Sequence, residues 1–334
     1  MTYLDTASGP QLKTPDAEAV FETTEAATGR GAGAAVESSA APALEAQAEA
    51  IPKRRQPAGG LGFKGLVRFL TFPGQIVSIL VLVAPLLVAL YMSFTDWSPT
   101  RGSLFDASFV GFENYSELLI YDTRFVYAII RTVLISTVCL SLEFALGLGL
   151  AVLFMRDFRA KPLFFSAFLT PMMILPVVVG YTFWMLFQSN GPVNQILELA
   201  FGPQAALEWF RNGHWAITAV IITEVWHWTP LFFLILLSGL NAIPENPVRA
   251  AVILGAGPRQ VFWRVILPML KPVIIVAFVI RSMEIIKLFD EVFMLTRGGP
   301  GSATETISLY IYKLAFNDFQ LAYGAAAAFI VLVG

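Results

Sequence analysis

The chain has 334 residues, of which 56% are hydrophobic and only 14% are charged. Soluble domains are about 45–50% apolar, so this composition argues against a water-soluble domain. The 22 basic and 24 acidic residues give a formal net charge of -2, which offers no argument for a nucleic acid partner. The single cysteine, Cys139, excludes both an intrachain disulfide and a cysteine metal site.

The first 60 residues differ in kind from the rest of the chain. They are rich in Ala, Ser, Thr, Gly and acidic residues, and they contain no apolar stretch long enough for a signal peptide. We therefore predict a disordered cytoplasmic tail over residues 1–60, which is not cleaved. Residues 61–334 are predicted to form the transmembrane domain.

Long apolar runs fill that domain. A helix needs roughly 20 apolar residues to cross a hydrocarbon core about 30 Å thick. Five such runs are present and a sixth begins near Leu321, so we predict an all-α membrane protein of about six transmembrane helices. The last run reaches Gly334 before it completes a span, and we expect the chain to continue. The complete runs cover residues 75–94, 126–154, 162–187, 215–240 and 272–289.

Prolines interrupt two of these runs. Pro171 and Pro176 lie in the third run and Pro230 in the fourth, and each removes a backbone donor and favours a kink. Kinked helices often flank a cavity, although a bent packing helix is an equally good interpretation.

Lysine and arginine are unevenly distributed between the connecting segments. Short cytoplasmic loops carry an excess of these residues, so the segments that hold most of them are predicted to be cytoplasmic. This places the N-terminus inside. The residues are Lys53, Arg54, Arg55, Lys64 and Arg68 before the first span, Arg156, Arg159 and Lys161 after the second, and Arg249, Arg259, Arg264 and Lys271 after the fourth.

The predicted cytoplasmic loop at residues 241–272 contains strong helix signals. Asn246 suits an N-cap and Pro247 suits the first helical position, which predicts a helix that runs to about Leu254 and ends at Gly255. The next helix signal follows within a few residues, so we predict two short helices joined by an elbow.

The second helix is predicted to open at Pro258 and to stop at Ile266, because Pro268 disfavours the αR conformation at the residue before it. The two helices carry more apolar surface than a free loop needs. They could lie on the lipid surface or fit a groove on another protein. The apolar residues are Val248, Ala251, Val252, Val261, Phe262, Val265 and Ile266.

Several ionisable residues fall within the predicted spans. Such a side chain costs several kcal/mol at bilayer depth unless it faces a polar cavity or a partner, so each is a candidate functional residue. They are Glu143, Glu224, Arg281, Glu284 and Lys287.

The spacing of these residues groups them on helix faces. Glu224 and His227 share one face with Trp228 and Leu231, and Arg281 shares a face with Glu284. Carboxylates, arginine and aromatic rings together suit a sugar, which presents hydroxyls at its edge and C–H groups on its faces. Internal pairing is the competing interpretation, with Arg281 bound to Glu284 and Lys287 bound to Asp290. A metal site at His227 would need ligands that the sequence does not offer.

Two separated motifs resemble one family. The loop is similar to the cytoplasmic signature loop of ABC importer permeases, with Ala250, Ala251, Gly255, Ala256, Leu267 and Pro268 in matching positions and Arg249 and Leu254 replacing the usual acidic residues. The later stretch resembles the maltose-type branch at Arg281, Phe289, Asp290, Leu295, Thr296, Gly298, Gly299, Pro300 and Thr304, and the fourth span resembles it at Glu224, Trp226, Pro230, Ile243 and Pro244.

The resemblance implies a type I importer permease in a bacterial cytoplasmic membrane, which moves a sugar, polyol or small glycoside by alternating access. It implies a second homologous permease, two ATP-binding subunits and an extracytoplasmic solute-binding protein as partners, in addition to lipid. It places Glu224, His227, Trp228, Leu231, Arg281, Glu284, Ile285 and Leu288 at the substrate cavity, and Arg249, Ala250, Ala251, Gly255, Ala256, Arg259 and Phe262 at the ATPase. Glu143 is assigned to packing.

No phosphate-binding glycine loop of the form G-x-x-x-x-G-K-[ST] occurs, so ATP and magnesium are expected on the partner ATPase and no cofactor on this chain.

Two other functions are compatible with the charged spans. A proton-coupled transporter would use Glu224, His227 and Arg281 as a relay, but we find no inverted repeat. A membrane enzyme would use Glu224 and His227 as an acid and base, but a nucleophile, metal cluster or cofactor motif is missing from the sequence.

Overall fold

The computed structural model describes residues 63–333, so the predicted tail at residues 1–60 lies outside the described residues. The chain divides into two units, Met1–Ser78 and Ile79–Gly334. The described part is helical and contains no strand, although Thr95 and Phe109 form an isolated antiparallel bridge. The helices are α1 Phe63–Ser93, α2 Glu113–Ser116, α3 Thr123–Phe154, α4 Lys161–Leu169, α5 Pro176–Leu186, α6 Pro192–Phe201, α7 Gly213–Asn241, α8 Glu245–Ile253, α9 Pro258–Val261, α10 Leu267–Ile285, α11 Asp290–Leu295, α12 Ile307–Tyr312 and α13 Leu321–Val333.

Four helical segments of the described chain are long and apolar enough to cross a membrane. They are Val67–Ser93, Thr123–Phe154, Gly213–Asn241 and Pro258–Ile285. Two shorter apolar helices, α5 and α13, occupy the places of the third and sixth predicted spans. The all-α architecture therefore agrees with the sequence, while the number of helices that cross the membrane stays a prediction.

The third predicted span is two helices rather than one kinked helix. A short 3-10 turn at Pro171–Met173 follows α4, and Ile174 and Leu175 then adopt extended conformations before α5 begins at Pro176. Proline has no backbone N–H and disfavours helical geometry at the residue before it, so two prolines five positions apart interrupt the hydrogen-bond ladder completely. The break leaves backbone carbonyls that need partners from elsewhere.

The prediction that Pro268 ends a helix is wrong. Leu267 keeps αR geometry, and α9 continues through a π-helical turn at Phe262–Ile266 into α10. The Leu267 N–H donates to the carbonyl of Phe262, five residues earlier, and this wider turn accommodates the proline within a continuous helical segment. The fifth span consequently begins before Pro272 and ends at Ile285 instead of Phe289.

The core lies between α3 and α7, which pack along each other for most of their length. At one level the ring of Phe154 meets that of Phe233 with centroids 5.0 Å apart, and Phe232 meets Phe278 of α10 at 5.3 Å. Lipid is as apolar as these side chains, so close packing rather than water exclusion holds membrane helices together. A second apolar cluster contains Val220, Ile285, Leu288, Val292 and Leu295.

Candidate functional site

A buried ion cluster joins the three longest core helices. The Arg281 guanidinium donates from Nε to Glu143 Oε2 at 2.8 Å and from Nη2 to Glu143 Oε1 at 3.0 Å. Its Nη2 also donates to Glu224 Oε1. All three side chains are at most 2% exposed. One arginine from α10 therefore binds a carboxylate on α3 and another on α7, and the three together carry a formal charge of -1.

Two aspects of this cluster bear on its chemistry. The guanidinium carbon lies 4.7 Å from the centre of a Trp228 ring, so the cation is also covered by an aromatic face. The second oxygen of Glu224, Oε2, is buried and has no hydrogen-bond partner in the part of the chain that the structure describes. An unpaired buried carboxylate oxygen is costly, which marks this position as more than a packing contact.

His227 lies one turn further along α7 and bridges two other elements. Its Nδ1 is 3.0 Å from Oε1 of Glu291 on α11, and its Nε2 is 3.1 Å from the carbonyl oxygen of Ile174. The carbonyl belongs to the break before α5, so the imidazole supplies a partner to a group that the prolines release. His227 is 1% exposed, and its ring is also 4.8 Å from that of Trp228.

Gly180 places Glu291 within reach of His227. A Cβ built on Gly180 would lie 2.9 Å from Met294 Cβ, 3.0 Å from the Cα of Glu291 and 3.1 Å from its carbonyl oxygen. The distance to Met294 Cβ is shorter than real Cβ atoms show, and the two distances to Glu291 backbone atoms are unusually tight, so an added side chain would require a neighbour to shift. The absence of a side chain at this position lets α5 and α11 pack in direct backbone contact.

The remaining residues that were predicted to line the substrate cavity differ in their exposure. Ile285 and Leu288 are buried in the apolar core, Leu231 is half-buried, and Glu284 is exposed. Glu284 pairs with Lys287 at 3.3 Å on the outer face of the helix end. The predicted internal pairs are therefore wrong in both cases, because Arg281 faces inward toward α3 while Glu284 faces outward.

Sequence reasoning missed two members of this site. Glu143 was assigned to packing, yet it forms the bidentate partner of Arg281. Glu291 was not selected, because it lies beyond the apolar run and reads as a loop residue. The available signal for Glu143 was a charge with no opposite charge near it in sequence within a 20-residue apolar stretch. No sequence spacing connects Glu291 to His227, which is 64 residues away.

The loop at 241–272 begins with α8, which starts at Glu245 rather than at the predicted Pro247. Pro244 precedes it in extended geometry, and Glu245 provides an acidic first turn. The helix ends after Ile253, where the N–H groups of Gly255 and Ala256 donate to the carbonyls of Val252 and Ala251, respectively. Gly255 has a φ of +85°. These bonds form a Schellman turn, whose positive φ favours glycine.

The tip of this loop is apolar and open. Ile253 and Leu254 are 84% and 87% exposed, and Val252 is exposed beside them. Ala250, Arg259 and Gly255 are exposed, whereas Ala251, Ala256 and Phe262 are half-buried. Arg249, which replaces the usual glutamate, forms an exposed ion pair with Glu245 one turn earlier. Arg249, which was predicted to contact the ATPase, therefore binds a side chain of its own helix.

A second charged cluster forms around Glu305, which lies beyond α10 and outside the long apolar segments, and its arginines come from the first part of α3. Glu305 is fully buried and accepts two hydrogen bonds from Arg124, both at 2.8 Å, and one from Lys313 at 2.8 Å. Burial alone would raise the pKa of this carboxyl, but the two cations outweigh it and lower the pKa of Glu305 below its ordinary value. The Glu305 backbone oxygen also accepts from Arg131, so this cluster attaches the loop to α3.

The fold and these buried charges define a multi-pass α-helical membrane protein with an internal polar cluster. A family model described as the binding-protein-dependent transport system inner membrane component matches residues 143–334. A probable ABC transporter permease of Sinorhizobium fredii is 39% identical over 80% of this chain and 85% of its own length. The chain belongs to this family of ABC transporter permeases, as the two motifs indicated.

Other relatives carry more specific names. The sulfoquinovosyl glycerol transport system permease of Agrobacterium fabrum is 33% identical over 81% of this chain and 87% of its own. The trehalose/maltose transport system permease of Thermococcus litoralis is 37% identical over 67% and 74%. The fold matches a chain in the crystal structure of a bacterial alginate-importing ABC transporter with a TM-score of 0.69 and 21% identity, over 81% of this chain and 92% of that one.

Membership fixes the general role. The chain is a multi-pass inner membrane subunit of a binding-protein-dependent transporter, and it is a non-catalytic component of that complex.

Proposed function

We propose that this chain is one of two permease subunits in an ATP-driven importer of a sugar, polyol or small glycoside. The substrate class is supported by relatives that are named for trehalose, maltose and sulfoquinovosyl glycerol. The observation that carries the coupling mechanism is the open apolar tip at Ile253 and Leu254. Apolar side chains this exposed at the end of a helix are suited to a groove on another subunit.

The proposed complex contains a second homologous permease, two ATP-binding subunits and an extracytoplasmic solute-binding protein. ATP and magnesium bind to the ATPase subunits, and this chain carries no cofactor of its own. Residues 241–272 face the cytoplasm, as does the N-terminus. Closure of the ATPases pushes on the loop and changes which side of the membrane the solute path opens to.

Within the predicted cavity set, burial suggests a division of roles. Trp228 and Leu231 retain accessible surface and are proposed to contact solute, whereas the outward-facing Glu284 pairs with Lys287. Glu224, His227 and Arg281 are occupied by protein partners and are proposed to hold those residues in position. Ile285 and Leu288 support the same cavity from the apolar core.

The experiment is purification and transport by the assembled complex. The tagged native chain is expected to bring down ATP-binding subunits, and proteoliposomes that contain the complex and its binding protein are expected to accumulate a labelled glycoside in an ATP-dependent manner. Uptake that an uncoupler abolishes while ATP is held constant would instead favour proton coupling. A complex without a nucleotide-binding chain would reject the proposal.

The coupling role of the loop is tested with one pair of variants. Leu254→Asp places a charge on the apolar tip and is expected to abolish co-purification of the ATPase. Leu199→Asp, in α6, changes a residue of the same type and of nearly the same exposure, 88% against 87%, and is expected to keep the ATPase bound. Equal loss of the ATPase in both variants would mean that the tip is not the docking element.

A further inference from the structure

His227 has two hydrogen-bond partners, and both of them offer oxygen atoms. Nε2 is 3.1 Å from the carbonyl oxygen of Ile174, which can only accept. Nδ1 is 3.0 Å from Oε1 of Glu291. A neutral imidazole carries one N–H donor and one acceptor nitrogen, and an ionised carboxylate is only an acceptor. Neutral His227 and ionised Glu291 therefore cannot make both bonds at once.

One additional proton resolves this conflict. If it resides on Nδ1, an imidazolium donates to both oxygens, and if it resides on Glu291, a carboxylic acid donates to a neutral ring whose Nε2–H bonds Ile174. We infer that the His227–Glu291 pair is a proton-binding site that holds one proton in this conformation. The ligand is a proton, and the inference does not depend on which solute is carried.

The surrounding charges favour retention of that proton. Glu224 lies on the same helix, Glu143 on α3, Arg281 on α10, and Asp290 next to Glu291 on α11. The buried groups Glu143, Glu224, Arg281 and Glu291 have a formal sum of -2 without the proton and -1 with it. Isolated charge in a buried site is unfavourable, so the proton lowers the electrostatic cost of the whole cluster.

The proton also adds a polar link between parts of the fold that are already packed together through apolar contacts. Through Nε2 it fixes the broken segment before α5, and through Nδ1 it fixes α11, which packs on α5 across Gly180. When the proton leaves, one of the two bonds must open. Because either loss removes a link from α7 to α11 or to the segment before α5, proton loss destabilises this arrangement of α5, α7 and α11.

Linkage gives the sign of the expected pH dependence. The arrangement in which both bonds are made contains one proton more than a neutral His227 beside an ionised Glu291, so a rise in pH acts against it. Stability therefore falls as pH rises, and the equilibrium between folded and unfolded states shifts up to about tenfold per pH unit for one proton. The measurement is the unfolding midpoint of the assembled transport complex over a series of pH values above neutrality.

Glu291→Gln is the central variant. Its amide N–H can donate to Nδ1 of a neutral ring, so both bonds persist with no titrating proton, and the fall in midpoint with pH is expected to flatten by one proton's contribution. Glu198→Gln changes an exposed glutamate of α6 and is expected to keep the wild-type slope. A slope in Glu291→Gln equal to that of the wild type overturns the inference.

A double variant covers the case in which Glu291→Gln fails to assemble. His227→Gln with Glu291→Gln provides an amide N–H for Ile174 and an amide oxygen that accepts from Gln at position 291, again without a titrating group. This complex is expected to show the flattened slope. If its slope matches the wild type, the pair does not hold the proton.

Discussion

Arg281 of α10 and Glu143 of α3 are 138 positions apart in sequence, and they form a bidentate ion pair with N–O distances of 2.8 and 3.0 Å. Both side chains are almost completely buried, Nη2 of the guanidinium also donates to Glu224, and the guanidinium carbon lies over the Trp228 ring. Arg281 therefore works here as a junction between α3, α7 and α10.

Removal of Arg281 alone should lower the stability of the complex more than removal of all three charges of the cluster. Arg281→Met leaves two buried carboxylates without a cation, and the expected loss of stability is about 3–5 kcal/mol. We expect a strongly lowered unfolding midpoint and a low yield of the assembled complex, measured by thermal unfolding after purification.

The triple variant Arg281→Met, Glu143→Gln, Glu224→Gln removes all three charges together. Neutral amides carry no buried charge but still bury polar groups, so this complex should recover part of the midpoint that Arg281→Met alone loses. A triple variant as unstable as the single one would show that the charges are not coupled.

Gly180→Ala tests the backbone contact between α5 and α11. The added methyl group would lie within about 3.1 Å of three atoms of Glu291 and Met294, and overpacking of this kind costs about 1–3 kcal/mol. Gly149→Ala, at an exposed helical position with open space around it, should be neutral or stabilising. The comparison is made by unfolding midpoint, and equal midpoints would contradict the close-packing account.

Gly255→Ser tests the turn at the tip of the loop. Serine must adopt the positive φ of this position, which costs roughly 1–2 kcal/mol and loosens the end of α8. We expect reduced solute-stimulated ATP hydrolysis by the complex with little change in its overall stability.

Gly257→Ser is the matched control. Gly257 is the residue before α9, has a φ of -70° and is surrounded by open space, and serine is a favourable helix N-cap. Its coupling should equal that of the wild type. If both serine variants behave alike, the conformation at Gly255 is not what matters.

Glu305 should make the protein acid-sensitive. Its folded-state pKa is lowered, so its stabilising contribution is present above the ordinary carboxyl value of 4.5 and is lost as pH falls below it. Glu305→Gln should lower stability at neutral pH by about 1–3 kcal/mol and remove this part of the acid dependence. The test is unfolding midpoint against pH, with the exposed Glu208→Gln expected to retain the wild-type acid profile.

The sequence by itself predicted the features that depend on local composition. Apolar runs identified membrane helices because hydrophobic length is a property of each segment, and the loop signals located Gly255 because a left-handed turn favours glycine. It did not predict the π turn before Pro268, since a proline normally interrupts a helix and only the observed backbone shows the wider turn that avoids this.

The tertiary structure decided how the buried charges are paired. Sequence spacing brought Arg281 and Glu284 to neighbouring positions, but packing turned the first toward Glu143 and Glu224 and the second toward the surface. It also joined His227 to Glu291 and to a carbonyl that two prolines had released. Such pairings depend on which helix faces meet in space, and periodicity within one helix carries no information about the charge that a distant helix presents to it.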